Sequence, residues 1–139
     1  MKHSNSLGVS AAIIALAMAA PLAAQTLEVE IQGVRSSKGA VQADIYAPPR
    51  RHIAKQLIPA KAGGMKVRFT DLPPGDYAVL LYHDENGNGR LDTGPLRLPT
   101  EGYAFSQDAR ARLGPPSFDK MRVTVPAGSE VTTTARMRY

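Results

Sequence analysis

Period-two alternation of apolar and polar residues, Gly- and Pro-rich punctuation between the alternating segments, and the lack of any long helical repeat predict an all-β fold. The first segment, TLEVEIQG, sets Leu27, Val29 and Ile31 against Glu28, Glu30 and Gln32, the pattern of a strand with one buried face. RSSKG supplies a turn, and AVQADIYA repeats the alternation with Val41, Ala43 and Ile45. These two segments are expected to pair as an antiparallel hairpin. Pro48 and Pro49 end the second strand. The stretch PPRRHIAKQLIPAKAGG is then expected to be an irregular crossover, with a short helix lined on one side by Ile53, Leu57 and Ile58.

Val67 and Phe69 mark the next strand, and LPPGD turns the chain into Tyr77–Tyr82. That run is apolar on both faces, so a central strand covered on each side is expected. Residues 83–117, rich in Gly and Pro, read as one long loop region. Met121, Val123 and Val125 in KMRVTVPAG, and Val131, Thr133, Ala135 and Met137 in EVTTTARMRY, alternate on either side of the turn PAGS and suggest a closing hairpin. Roughly six or seven such strands pack most naturally as an antiparallel β-sandwich of immunoglobulin-like or transthyretin-like type.

The chain begins MKHSNSLGVSAAIIALAMAAPLAAQ. Lys2 gives a basic start, Leu7–Ala20 an apolar run, and PLAA the small residues of a cleavage site. This layout predicts a signal peptide over residues 1–24 and a single sandwich domain over residues 25–139. The apolar run is shorter than the ~20 residues a bilayer span needs, so no transmembrane segment is expected in the mature chain. An exported protein, periplasmic or secreted, follows. The sequence has no cysteine, which excludes a lipid-anchored cysteine and leaves core burial, a metal, or both to stabilise the domain. The formal net charge of +5 is spread along the chain. Such an excess suits an anionic glycan or an envelope protein as partner, but lacks the clustered stripe of a nucleic-acid binder.

The segment HDENGNGRLD, residues 83–92, carries the most specific chemistry. Calcium takes about 6 to 8 oxygen ligands in a flexible shell. Asp84, Asn86, Asn88 and Asp92 place side-chain oxygens at alternate positions, Gly89 stands where the chain must turn sharply, and Arg90 would offer its backbone carbonyl. Where an EF-hand closes with a bidentate Glu, this chain has Pro95; Glu101 is the candidate to complete the shell. With few carboxylates, an affinity on the order of 10⁻⁴ to 10⁻³ M is expected. The loop resembles the calcium loops of bacterial surface-adhesin repeat domains. Against this stands a bare polar turn, because Asn-Gly, present at Asn86-Gly87 and Asn88-Gly89, is itself a strong hairpin signal.

Catalytic chemistry has less to rest on. His83, Asp84, Glu101, Tyr103 and Ser106 are chemically varied, but Ser106 lies in AFSQD rather than a G-x-S-x-G elbow. His52 and His83 lack the neighbours of a zinc site. A glycan- or lipid-directed enzyme is therefore the minor alternative. Glu101 has a second reading as an ion-pair partner of Arg97 or Arg110, and Tyr103 with Phe105 as a ligand platform or as anchors of the long loop.

The combination of F-x-x-L-P-x-G-x-Y-A-V (Phe69–Val79), the HDENGNG-x-LD loop, P-x-EGY-x-FS (Pro99–Ser106) and GPPSF (Gly114–Phe118) resembles the bacterial exported proteins grouped as DUF2141. The resemblance covers residues 27–138 and implies an exported β-sandwich without implying an activity. Where that family tends to carry Asn, Gly and a second Gly, this chain has Gly94, Arg97 and Ala104. The function expected is a non-enzymatic binding or structural module of the envelope whose long loop is ordered by calcium. The alternative is a protein–protein interaction domain with a bare turn.

Overall fold

A computed structural model describes residues 24–139, and the expected signal peptide, Ala24 apart, lies outside the described residues. The described strands are β1 (Gln25–Val34), β2 (Ala40–Ala47), β3 (Arg51–Pro59), β4 (Gly63–Leu72), β5 (Gly75–Asp84), β6 (Gly102–Phe105), β7 (Val123–Val125) and β8 (Glu130–Arg136). A single turn of helix, α1 (Phe118–Met121), precedes β7. One sheet has the order β4-β1-β8 and the other β3-β2-β5-β6, with β7 pairing further along β5. The fold is the expected all-β sandwich.

The alternation read from the sequence fills its core. Leu27, Val29 and Ile31 of β1 face Val41, Ala43 and Ile45 of β2 across the interior, joined by Val67, Phe69, Val79 and Leu81. Burial of each such side chain is worth about 1.5–3 kcal/mol. On the outer face of the three-stranded sheet, Glu28 lies opposite Arg68 and Glu30 opposite Lys66. Lys66 Nζ reaches Glu28 at 2.8 Å and Glu30 at 3.4 Å, and Arg68 bridges Glu28 and Glu130. Opposite charges thus face each other across the β1/β4 ladder.

Two expected hairpins do not form. β1 pairs with β4 and, in parallel, with β8, while β2 pairs with β3 and β5 in the other sheet. Likewise β7 pairs with β5 and β8 with β1, so the PAGS turn crosses between sheets. The reason is general: one buried face can meet its neighbour across the core as well as along a ladder, and alternation is the same in both cases. The parallel β1/β8 pair also departs from a purely antiparallel sandwich.

The crossover expected after Pro49 is instead strand β3, paired with β2 as an edge. Its register shifts where Ile45 pairs with Ala54 and Tyr46 with His52, leaving Ile53 as the extra residue of a bulge. The bulge breaks the alternation, which is why the segment does not read as a strand. The expected central strand is present: β5 pairs with β2 on one edge and with β6 and β7 on the other. Its inner face carries Tyr77, Val79 and Leu81, and its outer face meets a second cluster of Ala78, Phe105, Ala109 and Met121. β6 itself lies within the region expected to be strandless. No helix among the described residues is long and apolar enough to cross a membrane.

Gly39 links the crossover after β1 to the base of the loop that follows β5. Its φ is +62° and a Cβ there would stand 1.9 Å from the Asp84 carbonyl oxygen. Gly39→Ala should therefore lower stability by more than about 1 kcal/mol, read as a lower urea midpoint. Gly64→Ala, where the nearest atom is 3.5 Å away, should leave the midpoint nearly unchanged.

Candidate functional site

Asp84 is the last residue of β5 and is buried, 3% exposed. Its Oδ1 accepts the Asn88 N–H at 3.1 Å and its Oδ2 the Gly89 N–H at 2.7 Å. The backbone can bring those groups back because Gly87 and Gly89 hold φ of 74° and 78°. Asn86 Oδ1 accepts the Asn88 N–H, and Asn88 Oδ1 accepts the Arg90 N–H, each at 3.1 Å. These are side-chain mimics of a backbone turn, the reason Asn suits both positions. Tyr82 donates its hydroxyl to the Gly89 carbonyl at 2.8 Å and holds the tip against the sheet.

Glu101 ties the far end to the near end. Its Oε1 accepts the Glu85 N–H and its Oε2 the Asp92 N–H, both at 3.1 Å. It is 6% exposed. Its carboxylate therefore serves backbone donors on both sides of the loop, rather than an ion pair with Arg97 or Arg110. Thr100 adds two bonds from its N–H and hydroxyl to the Asp92 carbonyl. Beyond Asp92 the chain doubles back, with Thr93 bridged to Pro99.

Asp92 is the acceptor at the middle of the network. Asn88 Nδ2 donates to its two oxygens at 2.7 and 2.8 Å, and Asn86 Nδ2 donates to Oδ2. The Asn88 amide first, then the Asn86 amide, holds the Asp92 carboxyl below the usual aspartate range. Arg90 reaches Asp92 only at 3.7 Å. All the residues expected to ligate calcium, Asp84, Asn86, Asn88, Arg90, Asp92 and Glu101, thus belong to one connected set of hydrogen bonds.

The donor set has a definite chemistry. Among the described residues, no three His, Cys, Asp or Glu side chains are grouped so that they could hold a metal between them. A cation here would depend on Asn and carbonyl oxygens as well as carboxylates. Asp84, Asn86, Asn88 and Asp92 supply such oxygens, each with acceptor capacity beyond the bonds just described. The Arg90 carbonyl would be a further neutral oxygen of the kind calcium accepts. Glu101, like Asp84, has both oxygens on backbone N–H groups, and it fastens the two ends of the loop.

Of the other polar residues singled out from the sequence, His83 lies at the base of the loop, and Ser106 and His52 lie away from it. His83, on the inner face of β5, is wholly buried. Its Nε2 stands 2.8 Å from the Lys38 carbonyl and its Nδ1 2.8 Å from the Tyr139 hydroxyl. A carbonyl only accepts, so Nε2 carries the hydrogen, and in the neutral ring Nδ1 accepts from Tyr139. Ser106 is buried with its hydroxyl donated to the Met121 carbonyl and accepting the Val79 N–H. His52 stands 2.9 Å from Asp44 on β2.

Sequence reasoning passed over several residues of the loop's base. Glu85 binds Arg35 and Ser36, and the Arg35 guanidinium first of all lowers its pKa. Arg35 also stacks 4.2 Å over the Tyr139 ring. That ring lies against Gly102, where a Cβ would approach it to 2.4 Å. The Gly in EGY was the available signal, since a side chain there would displace Tyr139.

Replacing Glu101 with Ala should leave the Glu85 and Asp92 N–H groups without their acceptor. The expected loss is about 1–3 kcal/mol in loop opening, read as faster hydrogen exchange at those two amides. The sign of the pH dependence follows from Asp92, whose folded pKa is depressed. Its stabilising contribution is present above the unfolded value of about 3.9 and is lost as pH falls through the lower folded value. Carbon-detected titration should find Asp92 still mainly ionised at about pH 3.9, and Asn88→Ala should move its midpoint up.

A family profile described as "Uncharacterized protein conserved in bacteria (DUF2141)" matches residues 29–134. No curated protein and no solved structure matches the chain. The matched span runs from β1 almost to the end of β8 and takes in the whole 83–92 loop and its Glu101 fastening; the chain belongs to the DUF2141 family.

Proposed function

We propose that the protein is an exported, non-enzymatic binding or structural module of the cell envelope, with residues 85–101 as its working surface and calcium as a reinforcement of that surface. The observation that carries this reading is the pair of buried carboxylates, Asp84 and Glu101, whose oxygens are spent on the backbone of a protruding loop. A loop that merely joined two strands would not need such fastening, and long ordered loops on a rigid sheet are where binding surfaces are usually placed. Calcium would supply positive charge to the Asp84 and Asp92 carboxylates, and the Asn86, Asn88 and Arg90 oxygens would help to hold it. Exposed Arg90 and Arg97 give the surface a basic character suited to an anionic glycan or an acidic face of an envelope protein.

One observation favours a second reading, an interaction domain with a bare turn. The Asn86 and Asn88 amides already satisfy Asp92, so the loop closes on itself without an ion. Thermal unfolding with millimolar calcium and with EDTA separates the two. A site near 10⁻⁴ M should raise the melting midpoint by about 10 degrees at 10 mM calcium, since binding at about 100 times Kd adds ~2.7 kcal/mol. Asp84→Ala should abolish the rise. Identical melts in both buffers would leave the bare-turn reading standing.

A further inference from the structure

On the outer face of the five-stranded sheet lies a groove of about 780 Å³, within the size range of small-molecule sites. Its floor is formed by Leu80 and Tyr82 of β5 and their ladder partners Phe105 and Tyr103 of β6. Leu91, Leu96 and Leu98 line it from the loop after Asp84, and Ala111, Leu113 and Pro115 from the segment before α1. The groove is thus apolar below and along its length.

Two of these leucines stand almost entirely in water: Leu96 is 91% exposed and Leu113 is fully exposed. Leu96 and Arg97 also hold left-handed backbone, with φ of 60° and 57°, a conformation that costs free energy for residues other than Gly. A solvent-exposed leucine kept in a strained turn beside an aromatic floor has no role in the core, and contiguous apolar surface of this kind marks a contact site.

The charges are of one sign. Arg97 and Arg112 are the charged residues lining the groove, and the adjoining depression adds Arg110 and Lys120 with no acid. Arg35, Arg68, Arg90, Arg122 and Arg138 are engaged in ion pairs. Among the described residues, Arg97, Arg110, Arg112 and Lys120 form none. An added strand is a poor occupant, because Tyr103 of β6 already exchanges both backbone bonds with Arg138.

We propose that the groove binds a single-chain anionic amphiphile: an acyl chain along the Leu80, Tyr82, Tyr103 and Phe105 floor, with its terminal carboxylate or phosphate on the Arg97 and Arg112 guanidinium groups. A guanidinium fork matches either anion through two parallel N–H donors. The proposal goes beyond the envelope-module reading, adds a ligand class to it, and requires no bound ion.

Titration calorimetry of the protein with octanoate, decanoate and dodecanoate, below their micellar concentrations and in EDTA, tests it. One chain should bind per protein, with affinity rising about fourfold for each added methylene, the equivalent of ~0.8 kcal/mol per buried CH₂. Dodecyltrimethylammonium should bind at least tenfold more weakly than dodecanoate. Arg97→Gln combined with Arg112→Gln should remove that preference and keep the chain-length dependence. Leu96→Asp, at an exposed position outside the core, should weaken dodecanoate without lowering the melting midpoint. Absence of binding, equal binding of the cationic and anionic chains, or binding to phosphatidylglycerol vesicles but not to monomers would overturn the proposal. Dodecanoate binding beside identical melts with and without calcium would remove the ion alone; a calcium response without dodecanoate binding would remove the groove alone.

Discussion

Strand β5 is hydrogen-bonded along both edges, buried on its inner face and covered at Ala78 on its outer one, and the placement of everything chemically specific follows from that constraint. Its inner side chains belong to the main core and its outer ones to the smaller cluster beneath Phe105 and Met121. A strand so confined cannot shift register by one residue without sending Val79 and Leu81 out of the interior. Asp84 is therefore delivered to a fixed point where the strand stops, and the loop is built outward from it.

Two carboxylates then organise the loop by different routes. Asp84 curls the chain tightly by accepting N–H groups four and five residues ahead. Glu101 acts at longer range and joins the loop's departure to its return. An unpaired buried carboxylate would be costly, whereas one that accepts backbone donors relieves its own desolvation and theirs together. Polar residues here do the ordering that apolar residues do within the sandwich.

Much of the sandwich was legible because alternation reports directly on which side chains face inward. Leu27, Val29, Ile31, Val41, Ala43 and Ile45 are all buried as their spacing requires. Partner strands were not legible, because sheet pairing and sheet stacking demand the same period. β3 was hidden by a bulge, and β6 by brevity and by the glycine at its start. In the loop, the spacing of Asp84, Asn86, Asn88 and Asp92 pointed to oxygens able to share a cation, and the structure joins those residues by hydrogen bonds to one another. It could not show which oxygens face backbone N–H groups, since that depends on Glu101 arriving from outside the repeat. The contribution of Arg35 and Tyr139 was equally hidden, as each lies remote in the chain from the loop it supports.

The parallel partnership of β1 with β8 governs the order of assembly. Gln32 and Arg136, joined by a side-chain hydrogen bond at the end of that ladder, are 104 positions apart. Closing so long a stretch of chain is entropically demanding and slows structures rich in distant contacts. A polypeptide emerging from its N-terminal end must hold its first strand half-partnered until the last has appeared. Premature tangling is thereby a hazard of the middle of biogenesis, when the edge of β1 that awaits β8 is still open to other chains.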